Sequence, residues 1–320
     1  MTDPLSAAAR ALLGSFRRQR PLRGGSRLVT IFGDAIAPRG GAITLGSLIA
    51  LAAPFGLNQR LVRTAMARLA GEGWLENRMA GRRSEYRLSR GGRERFFVAT
   101  RQIYGVPQQK WPGSWTMIIV PPAARAIRQA AREALGWAGF GEPTPGLFAH
   151  PLMTVAEVEQ LIRGTAELTG VVVLTTGASP AASHRQLVAL GWDSAELAQR
   201  YRRFIRQFEP ALSALRGRGR PAALPSFIVR TLLVHEYRKI HLRDPMLPPE
   251  LLPVDWVGSD AYRLCRAVYA RVAARAEQYL DTQATTLHGQ LPSAGAELYG
   301  RFGGLAIVGP GTVKGLRGKS

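Results

Sequence analysis

The spacing of hydrophobic positions predicts a series of short helices in the first part of the chain. Apolar residues recur at helical intervals over 27–36 and again over 43–53. A turn at 54–56, made of Pro, Phe and Gly, separates these helices from the next apolar stripe. Asn58 is a good N-cap, so a third helix is predicted over 59–72.

A hairpin and a fourth helix are predicted after this third helix. The first strand begins at 74–75, and alternating polarity over 86–88 marks the second strand. Between them, 78–83 forms a hairpin tip that contains glycine and three arginines. Ser89 is a suitable N-cap for a helix that runs to Tyr104.

The middle of the chain alternates between strand and helix patterns. The predicted strands are 115–120, 146–149 and a buried strand at 171–175. The predicted helices are 123–137 and 155–168, the second capped by Thr154. This alternation over about 75 residues is typical of a small ferredoxin-like α/β domain.

The rear of the chain is patterned as three long amphipathic helices. They are predicted over 195–215, 226–242 and 260–280. The Gly-rich remainder has weak patterning, which favours disorder with loose charge from Arg301, Lys314, Arg317 and Lys319.

These patterns together predict an α+β protein of five segments. The segments are a mobile basic arm (1–24), a winged-helix domain (25–107), a ferredoxin-like central domain (108–182), an α-helical C-terminal domain (183–284) and a disordered tail (285–320).

The charge is strongly basic and uneven along the chain. There are 43 Lys and Arg against 22 Asp and Glu, a formal net charge of +21. Residues 1–107 carry 18 basic and 6 acidic residues, 108–182 carry 5 of each, and 183–320 carry 20 and 11. This excess predicts a polyanionic partner, namely DNA, RNA or a membrane surface.

The remaining composition favours the cytoplasm. The single cysteine, Cys265, can make no disulfide within the chain. No apolar run reaches the roughly 18–20 residues that cross a bilayer, and the N-terminus lacks the apolar core of a secretory signal. We therefore expect a cytoplasmic protein without a membrane partner.

The order helix, helix, turn, helix, hairpin, helix is that of a winged helix. In this fold the helix after the turn enters the major groove of DNA, and the wing contacts the backbone or minor groove. The candidate DNA-binding residues on the helix are Asn58, Gln59, Arg60, Arg63, Thr64 and Arg68, and those on the wing are Arg78, Arg82 and Arg83. The alternative is a solvated basic helix beside an ordinary charged loop.

Several motifs, in order along the chain, resemble the PaaX family of repressors of phenylacetate catabolism. They are Phe32-Gly33-Asp34, Pro38-Arg39-Gly40-Gly41, 57–64, Glu72-Gly73-Trp74-Leu75, Gly81-Arg82-Arg83-Ser84, 111–115, His235-Glu236-Tyr237-Arg238, Arg243-Asp244-Pro245, Leu247-Pro248, 251–253 and Trp256-Val257-Gly258. The resemblance implies a winged helix, a ferredoxin-like middle and a helical C-terminal domain. It also implies a homodimer on a two-fold operator in double-stranded DNA, released by phenylacetyl-CoA as effector.

An acyl-CoA effector needs cations for its phosphates and an apolar pocket for its acyl group. The C-terminal motifs supply candidates, which are Arg230, His235, Arg238, Lys239, Arg243 and Trp256. The alternative is that His235, Glu236 and Arg238 form a structural polar network against the turn at 244–245.

Other functions remain open alternatives. His235 and His241 are six residues apart and lack the spacing of a zinc protease helix, and we find no nucleophile elbow or phosphate loop. We therefore expect neither an enzyme, nor a metal, nor a cofactor. The alternatives are a family member tuned to another acyl-CoA, an architectural DNA binder, and a nucleic-acid-processing protein that uses its ferredoxin-like domain.

Overall fold

A computed structural model describes residues 3–18, 24–106, 110–122, 125–177, 180–217 and 219–305. The chain divides into two compact units. The first comprises Met1–Val106, Phe204–Arg238 and Ala261–Ser320, and the second comprises Pro107–Arg203 and Lys239–Asp260. Each unit is therefore built from distant parts of the sequence, and the segment predicted as a C-terminal domain (183–284) contributes residues to both.

The N-terminal elements confirm the predicted order of a winged helix. The helices are α1 (Ser6–Arg18), α2 (Gly24–Ile31), α3 (Leu45–Ala52), α4 (Gln59–Gly71) and α5 (Arg90–Tyr104), and the strands are β1 (Ala42–Thr44), β2 (Leu75–Ala80) and β3 (Arg83–Leu88). Asn58 Oδ1 accepts a hydrogen bond from Leu61 N at 2.9 Å, and Ser89 Oγ accepts one from Gly92 N at 2.8 Å. Both predicted N-caps are therefore confirmed.

The wing is a three-stranded antiparallel sheet in the order β1-β3-β2. Its register pairs Leu75 with Leu88 at the base and Ala80 with Arg83 at the tip. Gly81 lies in the connecting turn at φ +57°, a left-handed conformation that suits glycine. The tip of the hairpin therefore lies at 81–82, within the predicted arginine-rich segment.

The middle elements form the predicted ferredoxin-like sheet. They are β4 (Thr116–Ile119), α6 (Arg125–Trp137), β5 (Gly141–Thr144), β6 (Leu147–His150), α7 (Val155–Arg163), β7 (Val172–Thr175) and α8 (Ala181–Gly191). The strand order is β5-β6-β4-β7, with every pair antiparallel. Sequence analysis missed β5, because the polar stretch Gly-Glu-Pro-Thr has no alternating pattern.

The prediction that 171–175 is a buried strand is wrong. β7 is an edge strand, and Val172 and Leu174 are exposed. Continuous apolar sequence was interpreted as burial on both faces. One face of β7 is instead exposed to solvent. The core of the domain lies on the opposite face of the sheet, around Ile118, Leu135 and Phe148.

The rear elements confirm three long helices. They are α9 (Ser194–Ala214), α10 (Ala223–His241) and α11 (Val257–Gln283), followed by β8 (Thr285–Thr286), β9 (Gly289–Gln290) and α12 (Ala296–Gly300). The prediction of disorder from 285 onward is therefore wrong as far as 305. Leu291, Leu298 and Phe302 are buried, whereas Lys314, Arg317 and Lys319 lie outside the described residues.

The prediction of a mobile arm is also wrong for the described part of residues 1–24. α1 buries Ala9, Leu12 and Phe16. The Phe16 ring packs against Phe55, and the Arg27 guanidinium lies 3.7 Å from the centroid of the Phe16 ring. The many arginines of this segment suggested a mobile arm, but its apolar residues recur at helical spacing and form one face. Burial of that face outweighs the entropic cost of ordering the chain.

A buried ion cluster around Asp34 joins α5, α10 and α11 with two further segments of the first unit. Asp34 Oδ2 accepts a hydrogen bond from Arg230 Nε at 2.7 Å, and Oδ1 accepts one from Arg301 Nη1 at 2.8 Å. The hydroxyls of Tyr104 and Tyr269 also donate to Oδ1, at 2.8 and 2.9 Å. Burial raises the pKa of the Asp34 carboxyl, but Arg230 and Arg301 outweigh burial and hold that pKa below its usual value. Arg301 was predicted to add loose charge in a tail, and this is wrong because it is paired in the core.

Candidate nucleic-acid interface

The candidate recognition helix α4 has one buried face and one exposed face. Val62, Ala65, Met66 and Leu69 are buried, as the apolar stripe predicts, and Leu61 is partly buried. The exposed residues are Asn58, Gln59, Arg60, Arg63, Thr64 and Arg68. All the cationic and polar side chains predicted for this helix are therefore accessible to a partner.

The helix and the wing share one groove in the first unit. This groove has a volume of about 990 Å³, and α3, α4, β2 and β3 all contribute to its lining. Gln59 and Arg63 come from the helix, and Arg82 and Arg83 come from the wing tip. Arginines that are about twenty residues apart in sequence are thus brought to one concave surface.

Arg63 is held by its own helix neighbour. When the Gln59 carboxamide is oriented with its oxygen toward Arg63, that oxygen accepts hydrogen bonds from Arg63 Nη2 at 2.9 Å and Nε at 3.1 Å. One edge of the guanidinium is used in this way. The Nη1 edge remains for an acceptor in the groove, so Gln59 restricts the rotamers of Arg63 and costs it little binding capacity.

Other predicted residues lie outside this groove. Asn58 uses its side chain as the cap of α4. Arg68 pairs with Glu72 at 3.4 Å, and both side chains are largely exposed. The wing register places Arg78 opposite Glu85. Arg60 and Thr64 are exposed without lining the groove. Arg63 and the wing tip are therefore the best-placed cations for a ligand in the groove.

Several groove residues were missed in the sequence. On α3 and the wing they are Thr44, Ser47, Asn77, Met79, Ser84 and Tyr86. Asn77 accepts a hydrogen bond from Ser84 Oγ at 2.6 Å, and Met79 is 64% exposed. Alternation along β2 could have identified Asn77 and Met79 as one face of the wing. Three further residues, Thr285, Thr286 and Gly289, come from the C-terminal hairpin, and no local sequence signal places them here.

Three of the predicted effector residues belong to an internal network of the first unit. Arg230 is fully buried and pairs with Asp34 and with Glu277 Oε1, the latter at 2.5 Å. His235 Nδ1 lies 2.9 Å from Thr30 Oγ1. Arg238 donates to Thr30 Oγ1 at 2.8 Å and to Ser26 O at 2.6 Å. The assignment of Arg230 to an effector site is corrected, because its charge is already neutralised in the core.

The structural alternative for His235 and Arg238 is closer to what the structure shows, although their partners differ from those expected. They bond to Ser26 and Thr30 of α2. The turn residue Asp244 instead accepts a hydrogen bond from the Tyr201 hydroxyl at 2.7 Å. Lys239 is exposed.

The other two predicted effector residues, Arg243 and Trp256, line a cavity of about 260 Å³ in the second unit. Its remaining lining residues are Trp192, Asp193, Ser194, Glu196, Leu197, Arg200, Asp244, Pro245, Leu247 and Leu252. Its lining combines two indoles and three leucine side chains with two arginines and three carboxylates. Trp192 and Arg200 were missed because they lie in a different segment from the C-terminal motifs.

Among the described residues, no group of three or more His, Cys, Asp or Glu side chains could hold a metal ion. None of the helices in the described ranges combines the length and the apolar character that crossing a membrane requires.

Comparisons with known proteins cover most of the chain. Three family models match: "PaaX-like protein" over 23–92, "PaaX protein central Cas2-like domain" over 108–188 and "PaaX-like protein C-terminal domain" over 192–282. The transcriptional repressor PaaX of Escherichia coli is 35% identical over 291 residues, which is 90% of this chain and 92% of that protein. An uncharacterized protein of known structure from Mycobacterium tuberculosis is 26% identical, covers 72% of this chain and 90% of its own, and has a TM-score of 0.49.

Proposed function

This chain belongs to the PaaX family, and from this premise we propose that it is a DNA-binding transcriptional repressor of a phenylacetate-type catabolic operon. One observation carries the DNA-binding part of the proposal. Arg63, one of the three exposed arginines of the recognition helix, lines a single groove together with Arg82 and Arg83 of the wing tip. A repressor of this kind works on chromosomal DNA, so the proposal places it in the cytoplasm and assigns it no catalytic step.

The groove supports a specific mode of contact. The N-terminal half of α4 enters the major groove, where the Nη1 edge of Arg63 can donate to a guanine or a phosphate oxygen. Arg82 and Arg83 neutralise phosphates at the border of the site. Because a winged helix covers only one half-site, the proposal includes a homodimer on a two-fold operator.

DNA binding can be tested by fluorescence anisotropy with duplex DNA from the region upstream of the operon. Arg63→Ala should weaken binding by about 1–3 kcal/mol, and loss of a phosphate contact would lower the salt slope by about 1. Arg271→Ala is the matched control, because Arg271 is an exposed arginine of α11 that bonds only to the carbonyl of its own helix residue Ala267 among the contacts described. Equal affinities for both variants, or salt-independent binding, would refute the proposal.

Release from DNA is proposed to follow binding of an acyl-CoA, for which phenylacetyl-CoA is the first candidate and a related acyl-CoA the alternative. The cavity of about 260 Å³ is slightly smaller than the roughly 300 Å³ at which pockets for drug-sized ligands begin. It therefore suits the acyl group, with the CoA phosphates outside near Arg200 and Arg243. The ligand shifts the equilibrium only as far as it prefers the released state, usually by about 1–3 kcal/mol.

A nucleic-acid-processing protein is the second candidate function, and the ferredoxin-like sheet of β4–β7 is its only support. The central segment carries 5 basic and 5 acidic residues, which disfavours a nucleic-acid channel there. Cleavage of labelled duplex or single-stranded DNA by the purified protein would favour that function over repression.

A further inference from the structure

The short C-terminal hairpin β8–β9 forms part of the candidate DNA groove. Thr285, Thr286 and Gly289 line the same concave surface as Gln59, Arg63 and the wing tip. The hairpin is more than 200 residues away from these elements in sequence and follows directly after α11. The groove therefore has the recognition helix and the β2–β3 wing on one part of its border and a second hairpin on another.

Two sets of hydrogen bonds fix the hairpin in this place. Thr285 N donates to Ser47 Oγ at 2.9 Å, and the hydroxyls of Thr285 and Thr44 lie 3.2 Å apart. Leu287 N donates to Glu85 Oε2 at 2.7 Å, and the Glu85 side chain is completely buried. A carboxylate is costly to bury in a wing strand. Glu85 uses that position to hold the tip of the hairpin against β3.

The anchored hairpin presents polar groups outward. The backbone of Leu287 is used for attachment, whereas His288 at the tip and Gln290 beyond it are exposed. The other four histidines of the chain, His150, His184, His235 and His241, are buried. The hairpin thus offers polar, hydrogen-bonding side chains on an anchored support beside a groove lined with arginines.

We propose that β8–β9 is a second wing, which contacts the sugar-phosphate backbone of the same DNA duplex. This inference rests on the proposed function and extends its binding site to the C-terminal segment. The arginines supply the electrostatic attraction, and the hairpin positions the backbone through neutral contacts. Because neutral contacts release no counterions, they add affinity without increasing the salt dependence.

The first test introduces a negative charge at the tip of the β8–β9 hairpin. A carboxylate within a few ångströms of a phosphate should weaken binding about five- to tenfold, so His288→Glu should bind duplex DNA that much more weakly. Ser213→Glu is the matched control, because Ser213 is an exposed helical residue of the first unit away from the groove lining. His288→Ala should lose affinity at pH 8 with an unchanged salt slope. Equal binding by His288→Glu and Ser213→Glu would overturn the proposal.

A second measurement uses the unmodified protein and so does not depend on a variant folding. Diethyl pyrocarbonate should label His288 readily, because it is the one exposed histidine within the described part of the chain. Duplex DNA at saturation should protect His288 from labelling, as read by peptide mass spectrometry. Unprotected His288 would exclude contact at the tip. The Arg63→Ala experiment gives a separate answer on DNA binding itself, so failure of the second wing and failure of the proposed function are distinguishable.

Discussion

Asp34→Asn is the substitution for which the structure gives the clearest expected magnitude. Asp34 is the carboxylate shared by Arg230 and Arg301, both of which are buried. After the substitution Arg230 keeps Glu277 at 2.5 Å. Arg301 keeps backbone carbonyls and the Tyr269 hydroxyl, but its nearest remaining carboxylate is Glu297 at 3.8 Å, and that side chain is 45% exposed.

Removing one partner of a buried ion pair usually costs about 3–5 kcal/mol, because a desolvated charge is left uncompensated. The asparagine carbonyl oxygen can still accept hydrogen bonds, so we expect a loss near the lower end, about 3 kcal/mol. Most of this loss should be assigned to Arg301. In the double variant Asp34→Asn/Arg301→Met the unpaired charge is absent, so its total cost should be smaller than the sum of the two single costs.

The assay is hydrogen exchange in peptides of α10 and α11 across a urea titration, which reports on the first unit directly. Glu72→Gln is the control, since it breaks an exposed Arg68–Glu72 pair, for which we expect at most about 0.5 kcal/mol. The reasoning would be refuted if Asp34→Asn were as mild as Glu72→Gln, or if the double variant showed strictly additive costs.

Two further predictions concern the second unit. Burial lowers the pKa of His150 to about 4, against the opposing effect of Glu157. Between pH 4 and about 6.5, His150 is therefore protonated in the unfolded chain but neutral in the folded protein. Stability should therefore fall by up to about 3 kcal/mol as the pH drops through this window and be constant above it. His150→Asn should remove that loss while still accepting hydrogen bonds from Leu152 N and Met153 N, and an unchanged pH profile by urea denaturation would contradict this. Trp256→Ala should weaken phenylacetyl-CoA binding by about 1.5 kcal/mol, or roughly tenfold in Kd, by calorimetry. Trp137→Ala, at an 85% exposed position, should leave the affinity unchanged, and equal affinities for the two variants would exclude the cavity.

The central sheet shows how far a sequence pattern alone can define a strand. The two inner strands β4 and β6 were predicted because their apolar residues face a core. The two edge strands were misjudged in opposite ways, since polar β5 was missed and apolar β7 was expected to be buried. Burial depends on which neighbours cover a strand, and a one-dimensional pattern does not contain that information.

The helices, caps and charged faces of the winged helix were determined by the sequence itself. The two N-caps, Asn58 and Ser89, bond to residues three positions along the chain, and the apolar stripe on α4 repeats every three to four residues. Both features therefore depend on local sequence alone. The rest was decided by tertiary structure. The sequence predicted Arg301 as loose charge, but it is neutralised by Asp34, which is 267 residues away. The sequence also predicted disorder for 285–290, but Ser47 and Glu85 bind this segment beside Arg63. The physical reason is that the free energy of a charge or a polar backbone group depends on what desolvates and pairs it, and in a folded chain those partners come from distant segments.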